Sequence, residues 1–232
     1  MVDLASISKA TVAKLIDYPI LSATASSNDV ERITRAAMKL GVNSVCVNPF
    51  YAKKVKEMLE GSDVKLTTTV GYPLGANMPI VKSVETDYCC RLGADELDMV
   101  MNMGALRSGD HRTVEADIGG VVDVAKKAGR PIVVKVIIES GYLTDYEIAE
   151  ASRLVRSSGA DFVKTGTGFG KGVTQGEVRI IRDAVGKDFG IKAAGGIRTL
   201  AQVLGLVEAG ATRIGTSSAP EIINEIELKK DK

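Results

Sequence analysis

Five glycine-punctuated apolar runs, with amphipathic stretches between them, predict that this chain of 232 residues is an α/β protein folded as a TIM (β/α)8 barrel. The runs are LGVNSVCV, LGADELDMV, AGRPIVVKV, SGADFVKT and AGATRIGTS. In each, a helix-like stretch ends on glycine, which takes positive φ without strain and so suits a helix C-terminus. The run that follows is apolar and rich in β-branched residues, as a strand buried on both faces of a parallel sheet must be. LIDYPIL, VKLTTTV and FGIKAAG bring the strand candidates to eight. Between them NDVERITRAAMKL, PFYAKKVKEMLE, TDYEIAEASRLVRSS and TLAQVLGLVEA space their apolar residues at three and four, the period of a helix with one buried face. Eight strand–helix units in this length are compact against the ~250 residues usual for such barrels. Spacing alone does not prove closure, so an open doubly wound sheet is the alternative. No linker or low-complexity segment divides the chain, and residues 1–232 are expected to form a single domain.

Composition narrows the function. The chain is 45% hydrophobic, enough for a sizeable core, and its formal net charge is +1. Such a balance has no basic excess with which to displace the counterions of a phosphate backbone, so no nucleic-acid partner is expected. The three cysteines, Cys46, Cys89 and Cys90, are too few and too irregular for a disulfide framework and fit a reducing cytosol. The opening MVDLASISKATVAKLID lacks the basic-then-apolar order of a signal peptide, and no apolar run is long enough to span a bilayer. A cytoplasmic protein without a membrane partner is expected. The single histidine, His111 in SGDHR, rules out a zinc site of several histidines, and its polar neighbours suit a solvated residue at a helix start. Proton transfer is therefore expected from Lys, Asp, Glu or Tyr, with no metal and no cofactor.

In barrels of this kind the chemistry sits at the C-terminal ends of the strands. Those ends carry Asp17, Asp98, Asn102, Lys135, Glu139, Lys164 and Lys192. Charges within apolar strands are costly unless paired or functional. For Lys135 and Asp98 a satisfied ion pair that plugs the barrel is one reading. Lys164 and Lys192 both precede glycine-containing turns, which favours chemistry. An ordinary lysine, with a pKa near about 10.4, has fewer than about one neutral amine in a thousand at pH 7. A second cation nearby lowers that pKa and yields a nucleophilic amine. Attack on a carbonyl then forms a Schiff base, whose cationic nitrogen accepts the electrons of a breaking carbon–carbon bond, and Asp98 is placed to shuttle protons through water. KAAGGIR (192–198) and RIGTSSAPEI (213–222) follow the last two strands, where barrels often bind phosphate. Ser217 and Ser218 there offer hydroxyls and N–H groups, with ordinary helix capping as the competing reading.

These blocks together resemble one family. CVNP (46–49), VGYPLG (70–75), GADELDMVMN (93–102), KVIIESGYLT (135–144), GADFVKTGTGFG (159–170), KAAGGIR (192–198) and RIGTSS (213–218) are similar, in order, to those of the deoxyribose-phosphate aldolases, class I aldolases on a TIM barrel. The resemblance runs through nearly the whole chain. It implies reversible cleavage of 2-deoxy-D-ribose 5-phosphate into acetaldehyde and D-glyceraldehyde 3-phosphate without a cofactor. By position it implies that Lys164 is the Schiff-base lysine, that Lys192 depresses its pKa, and that Asp98, with Asp17, serves the proton relay. Gly168, Gly195, Gly196, Ser217 and Ser218 fall where the family holds phosphate. A homo-oligomer, dimer or tetramer, is expected to go with it. The departures cluster. Asp17-Tyr18-Pro19 stands where the family has Asp-His-Thr or Asp-Leu-Thr, Leu21-Ser22-Ala23 replaces Leu-Lys-Pro, and Gly166 replaces serine in Lys-Thr-Ser-Thr-Gly. They bear on contact with the sugar hydroxyls. Rival expectations are a Schiff-base aldolase with another aldehyde acceptor and a barrel that binds a phosphorylated metabolite without catalysis.

Overall fold

A computed structural model describes residues 8–230. Eight parallel strands close on themselves in sequence order, so the open sheet is excluded. They are β1 (Ile16–Ile20), β2 (Ser44–Val47), β3 (Lys65–Val70), β4 (Glu96–Val100), β5 (Val133–Ile137), β6 (Phe162–Lys164), β7 (Gly190–Ala194) and β8 (Arg213–Gly215). β8 returns to pair with β1, matching Ile214 to Ile16 and Gly215 to Asp17. Seven of the eight expected runs contain one of them whole, and β5 runs one residue past AGRPIVVKV.

The helices follow the same grammar. α1 (Lys9–Ala13) precedes the barrel, and α2 (Ser27–Leu40), α3 (Ala52–Met58), α4 (Pro79–Arg91), α5 (Met103–Arg107), α6 (His111–Lys126), α7 (Asp145–Ser157), α8 (Gln175–Val185), α9 (Leu200–Glu208) and α10 (Ala219–Lys230) alternate with the strands. Four of them open on reciprocal capping boxes, from Ser26 with Asp29, Thr144 with Glu147, Thr174 with Glu177 and Thr199 with Gln202. Gly41 closes α2 at φ 64°, and the four other glycines of the repeated grammar also have positive φ. The stretch expected as one helix over residues 49–60 is instead a 3-10 turn, Pro49–Tyr51, leading into α3.

Strand residues alternate between two unlike environments, because successive side chains point to opposite faces. Ile16, Val45, Leu66, Leu97, Met99, Val134, Val136, Val163, Ile191 and Ile214 are buried in the apolar cluster shared with the helices. The alternate positions, Asp17, Ser44, Thr67, Glu96, Asp98, Lys135, Lys164 and Lys192, are equally buried but polar. The barrel interior is thus a charged network, not the layered aliphatic core usual for this architecture.

A second buried ion pair ties the helical layer to the barrel's upper rim. Lys82 on α4 and Asp117 on α6 are both fully buried and lie 2.6 Å apart. Lys82 Nζ also donates to the Val100 carbonyl at 2.8 Å, and Asp117 Oδ2 also accepts the N–H of Asn102 at 3.0 Å. Burial pushes Lys82 down and Asp117 up, each toward its neutral form, so the pair stands only because these further bonds support it. Replacing Asp117 by alanine leaves an uncompensated buried ammonium, and the expected loss of folding stability is about 3–5 kcal/mol by urea titration. The double replacement Lys82→Met with Asp117→Leu should recover most of it, and failure to do so would show that the pair's role is not electrostatic.

Candidate active site

The register of β6 and β7 sets Lys164 directly beside Lys192. Asp98 reaches both from β4. Its Oδ2 lies 2.8 Å from Lys164 Nζ and 2.7 Å from Lys192 Nζ, while its Oδ1 lies 2.9 Å from Lys135 Nζ. Lys192 has a second carboxylate, Asp17 Oδ2 at 2.6 Å. Lys135 has three, adding Glu96 at 2.6 Å and Asp17 at 3.5 Å. Arg213 closes the base against Asp17 at 2.8 Å and Glu96 at 3.2 Å. Asn43 Nδ2 also donates to Asp17 Oδ1 at 3.0 Å.

The network holds four cations against three carboxylates, and Lys164 is the cation with a single anionic partner. That decides the protonation states. Burial and the neighbouring Lys192 charge lower the Lys164 pKa against the opposing pull of Asp98. Burial also works against charge on Lys192 and Lys135, but there the carboxylates outweigh it and both are held above the ordinary lysine value. Burial likewise favours neutral Asp98 and Asp17, yet the surrounding cations hold both well below the usual carboxylate range. The arrangement supplies one amine whose pKa is lowered, beside two ammonium groups whose pKa values are raised. Cys46 adds a neutral thiol: its Sγ is 3.8 Å from Asp98 Oδ2, and burial together with that carboxylate pushes its pKa up to about 12.

A cavity of about 600 Å³ opens above this cluster. Lys164, Lys192 and Asp17 line it, with Gly168, Gly195, Gly196 and Ser217. Pro19, Ile20, Leu21 and Phe169 give the wall an apolar stretch, so the first-strand departures leave neither a threonine hydroxyl nor a lysine there. Asp98 lies beneath the wall and touches three of the side chains that line it, Lys164, Lys192 and Cys46. Ser218 is not in the wall; it gives its N–H to Thr216 Oγ1 at 2.9 Å, and its carbonyl receives the first helical bond of α10.

The remaining strand-end residues do other work. Asn102 caps α5 by accepting from the Ala105 N–H at 3.0 Å. Glu139 adopts φ 51°, the left-handed region otherwise occupied only by glycine among the described residues, and is buried. Its Oε2 accepts the Thr167 N–H at 3.0 Å and clamps the loop that follows Lys164. A Cβ on Gly166 would lie 3.0 Å from Glu139 Oε1, so the missing side chain at that departure leaves room for the clamp. From across the mouth, Tyr72 donates its hydroxyl to the Thr167 carbonyl at 2.7 Å and meets Phe169 edge-on. Glu96, Arg213 and Tyr72 escaped the sequence reading. The period-two placement of Glu96 and Asp98 within one strand was a signal that both face the same side; nothing local marks Arg213 or Tyr72.

Residues 11–219 match the DeoC/LacD family of aldolases. The chain is 47% identical over 218 residues to the deoxyribose-phosphate aldolase of Aciduliprofundum boonei, covering 94% of this chain and 97% of that one. The chain belongs to the DeoC/LacD family of aldolases. The deoxyribose-phosphate aldolase of Streptococcus pneumoniae serotype 19F is 49% identical over 211 residues, covering 90% of this chain and 94% of the relative. Among solved structures, the tetrameric deoxyribose phosphate aldolase of Aeropyrum pernix is similar with TM-score 0.87 at 34% identity, covering 95% of this chain and 92% of that one. The aldolase QR15 is similar with TM-score 0.88 at 35% identity, covering 99% and 98%.

For a family of aldolases, the lowered pKa of Lys164 has a direct consequence. If Lys164 is the attacking amine, as proposed below, only its neutral form adds to a carbonyl, so the rate of imine formation rises with pH and levels off above the Lys164 pKa, which lies below the ordinary lysine value. Removing the Lys192 charge moves that limb to higher pH. Lys192→Met should therefore slow borohydride trapping of acetaldehyde at neutral pH, about tenfold for each unit of displacement. Trapping rates measured across a pH series test this, and an unmoved limb would show that Lys192 does not set the amine's pKa.

Proposed function

We propose that the chain catalyses the reversible aldol cleavage of 2-deoxy-D-ribose 5-phosphate to acetaldehyde and D-glyceraldehyde 3-phosphate, through a Schiff base on Lys164. The observation that carries this reading is the under-compensated amine of Lys164, held by one shared carboxylate at the floor of an open cavity. A barrel that only bound a metabolite would have no use for a buried amine whose pKa is lowered. The substrate follows from the relatives named deoxyribose-phosphate aldolase.

The chemistry needs only groups on this chain and water. Neutral Lys164 Nζ adds to the substrate aldehyde, and loss of water leaves a protonated imine. A base takes the proton of the C3 hydroxyl, the C2–C3 bond breaks, and its electron pair moves through C2 and C1 to the iminium nitrogen. Glyceraldehyde 3-phosphate departs and an enamine remains. Protonation at C2 restores the imine, and water then hydrolyses it to acetaldehyde and free Lys164. Asp98, joined to both Lys164 and Lys192, carries protons between the amine and cavity water. In the resting site the charges of Lys192 and Lys135 keep Asp98 ionised and so free to accept a proton. Asp17 holds Lys192 in place.

Gly168, Gly195, Gly196 and Ser217 hold the phosphate, with Ser218 at the N-terminus of α10, where the helix dipole favours an anion. No metal or organic cofactor takes part. Assembly as a homo-oligomer belongs to the same proposal, supported by the tetrameric Aeropyrum pernix relative. So does residence in the cytoplasm; among the described residues no helix is long and apolar enough to cross a membrane.

Borohydride added with substrate, in the presence of a chelator, is expected to fix an adduct that peptide mapping places on Lys164. An adduct on Lys192 or Lys135, or activity lost to the chelator and restored by a divalent ion, would overturn the mechanism. Ser217→Asp places a negative charge against the phosphate. A large fall in kcat/KM is expected for deoxyribose 5-phosphate with little change for unphosphorylated deoxyribose; equal losses would place the phosphate elsewhere.

A further inference from the structure

Glu139 carries a left-handed backbone, φ 51° and ψ 56°, where every other described residue of positive φ is glycine. A side chain in that region is strained, and the strain persists only where the surroundings over-determine it. The surroundings here are two backbone bonds beyond the ends of β5 and β6. The Ile138 N–H donates to the Lys164 carbonyl at 3.0 Å, and the Ser140 N–H donates to the Thr165 carbonyl at 2.7 Å. One segment advances two residues while the other advances one, so Glu139 is the extra residue of a bulge. A bulge re-aims its side chain, and this one sends a buried carboxylate across to the loop after Lys164. Its Oε2 accepts the Thr167 N–H at 3.0 Å. Glycine leaves the room for it on both sides: a Cβ would lie 3.0 Å from Oε1 at Gly166 and 2.6 Å from it at Gly170.

The N–H groups of that loop divide into two sets. Thr167 gives its own to Glu139, and Phe169 gives its own to Thr167 Oγ1 at 3.1 Å. Gly168 and Gly170 alternate with them and line the cavity, and their N–H groups have no partner among the described residues. The Thr167 carbonyl and the Gly168 N–H share one planar peptide, so Tyr72, donating to that carbonyl at 2.7 Å, sets the direction of the N–H. Open donors on a fixed backbone are what an anion requires. We propose that Glu139 is a positioning residue for the substrate's phosphate, fixing this loop so that the Gly168 and Gly170 N–H groups stay available to it. The inference rests on the phosphate site proposed above and adds a residue that touches neither the phosphate nor the reacting atoms. A carboxylate's charge opposes a nearby phosphate, so its acceptor oxygen, and not its charge, serves the anion. Lys164 does not depend on the clamp. The residue after it is held independently, with the Thr165 N–H on the Lys192 carbonyl at 3.0 Å and Thr165 Oγ1 on the Ala194 carbonyl at 2.9 Å.

Steady-state kinetics on the full chain test this. Glu139→Gly removes the clamp and suits the left-handed backbone. Its KM for deoxyribose 5-phosphate is expected to rise about tenfold with kcat within about twofold of wild type. Its kcat/KM for unphosphorylated deoxyribose and its borohydride trapping of acetaldehyde are expected to stay at the wild-type level. Glu139→Asn also tolerates this backbone and falls one methylene short of Thr167, so it carries the same expectation if the glycine variant fails to fold. Glu139→Gln keeps an acceptor without the charge, and its KM is expected within about twofold of wild type. An unchanged KM in the asparagine variant, equal losses on both sugars, or a glutamine variant as impaired as the asparagine one overturns the proposal. Wild-type protein that traps no acetaldehyde on Lys164, or that does not prefer the phosphorylated sugar, overturns the parent reading and this inference with it.

Discussion

One carboxylate, Asp98, receives three ammonium groups in the centre of a barrel, and the rest of the structure is arranged around that fact. Ions taken out of water cost several kcal/mol each unless they are closely paired and hydrogen-bonded. Asp98 is tolerable only because Lys135, Lys164 and Lys192 surround it, and they are tolerable only because Asp17 and Glu96 share the load. The partition is unequal, and the proposed chemistry rests on the inequality. Lys135 and Lys192 have carboxylates to spare and stay cationic, whereas Lys164 competes for one oxygen that Lys192 already holds. The lysine with least compensation, Lys164, lines the cavity beside Lys192.

Eight strands are needed to achieve this. Asp17, Asp98, Lys135, Lys164, Lys192 and Arg213 come from six different strands, and only closure brings them within contact of one another. Alternation supplies the other half of the design. The outward face of the strands is apolar apart from Thr68 on β3 and gives the helices something to bury, so the inward face is free to carry charge. Gly215 shows how tightly the inner face is fitted, since a Cβ there would come within 2.9 Å of Ala194 Cβ and 3.2 Å of Lys192 Cε.

The loops above the barrel serve the same centre. Glu139 holds the Thr167 N–H and Tyr72 holds the Thr167 carbonyl, so the segment after Lys164 is fixed from two sides. The loop that carries Tyr72 continues through Leu74 and Met78 into α4. The cavity and the outer face of α4 are thus linked by one short stretch of chain. The Lys82–Asp117 pair anchors the same region by bonding to Val100 and Asn102 at the end of β4.

Much of this was legible in the residues. Strand number, the glycine at each of five helix ends and the barrel class are local matters, written in period and in the steric freedom of glycine, and the family resemblance pointed to Lys164, Lys192 and Asp98. What could not be read was who pairs with whom. Asp98 and Lys192 are 94 positions apart and Asp17 and Arg213 are 196 apart, and no pattern along the chain measures such distances. Glu139 and Asn102 look alike in sequence as polar strand ends, yet one clamps a loop and the other caps a helix. Ser217 and Ser218 are neighbours, and only the turn into α10 decides which faces the cavity. The sequence by itself determined the elements and the kinds of charge available, because propensity and periodicity act over a few residues. Tertiary structure decided the protonation state of each lysine, because that depends on burial and on how many carboxylates lie within a few ångströms, quantities that exist only once the barrel has closed.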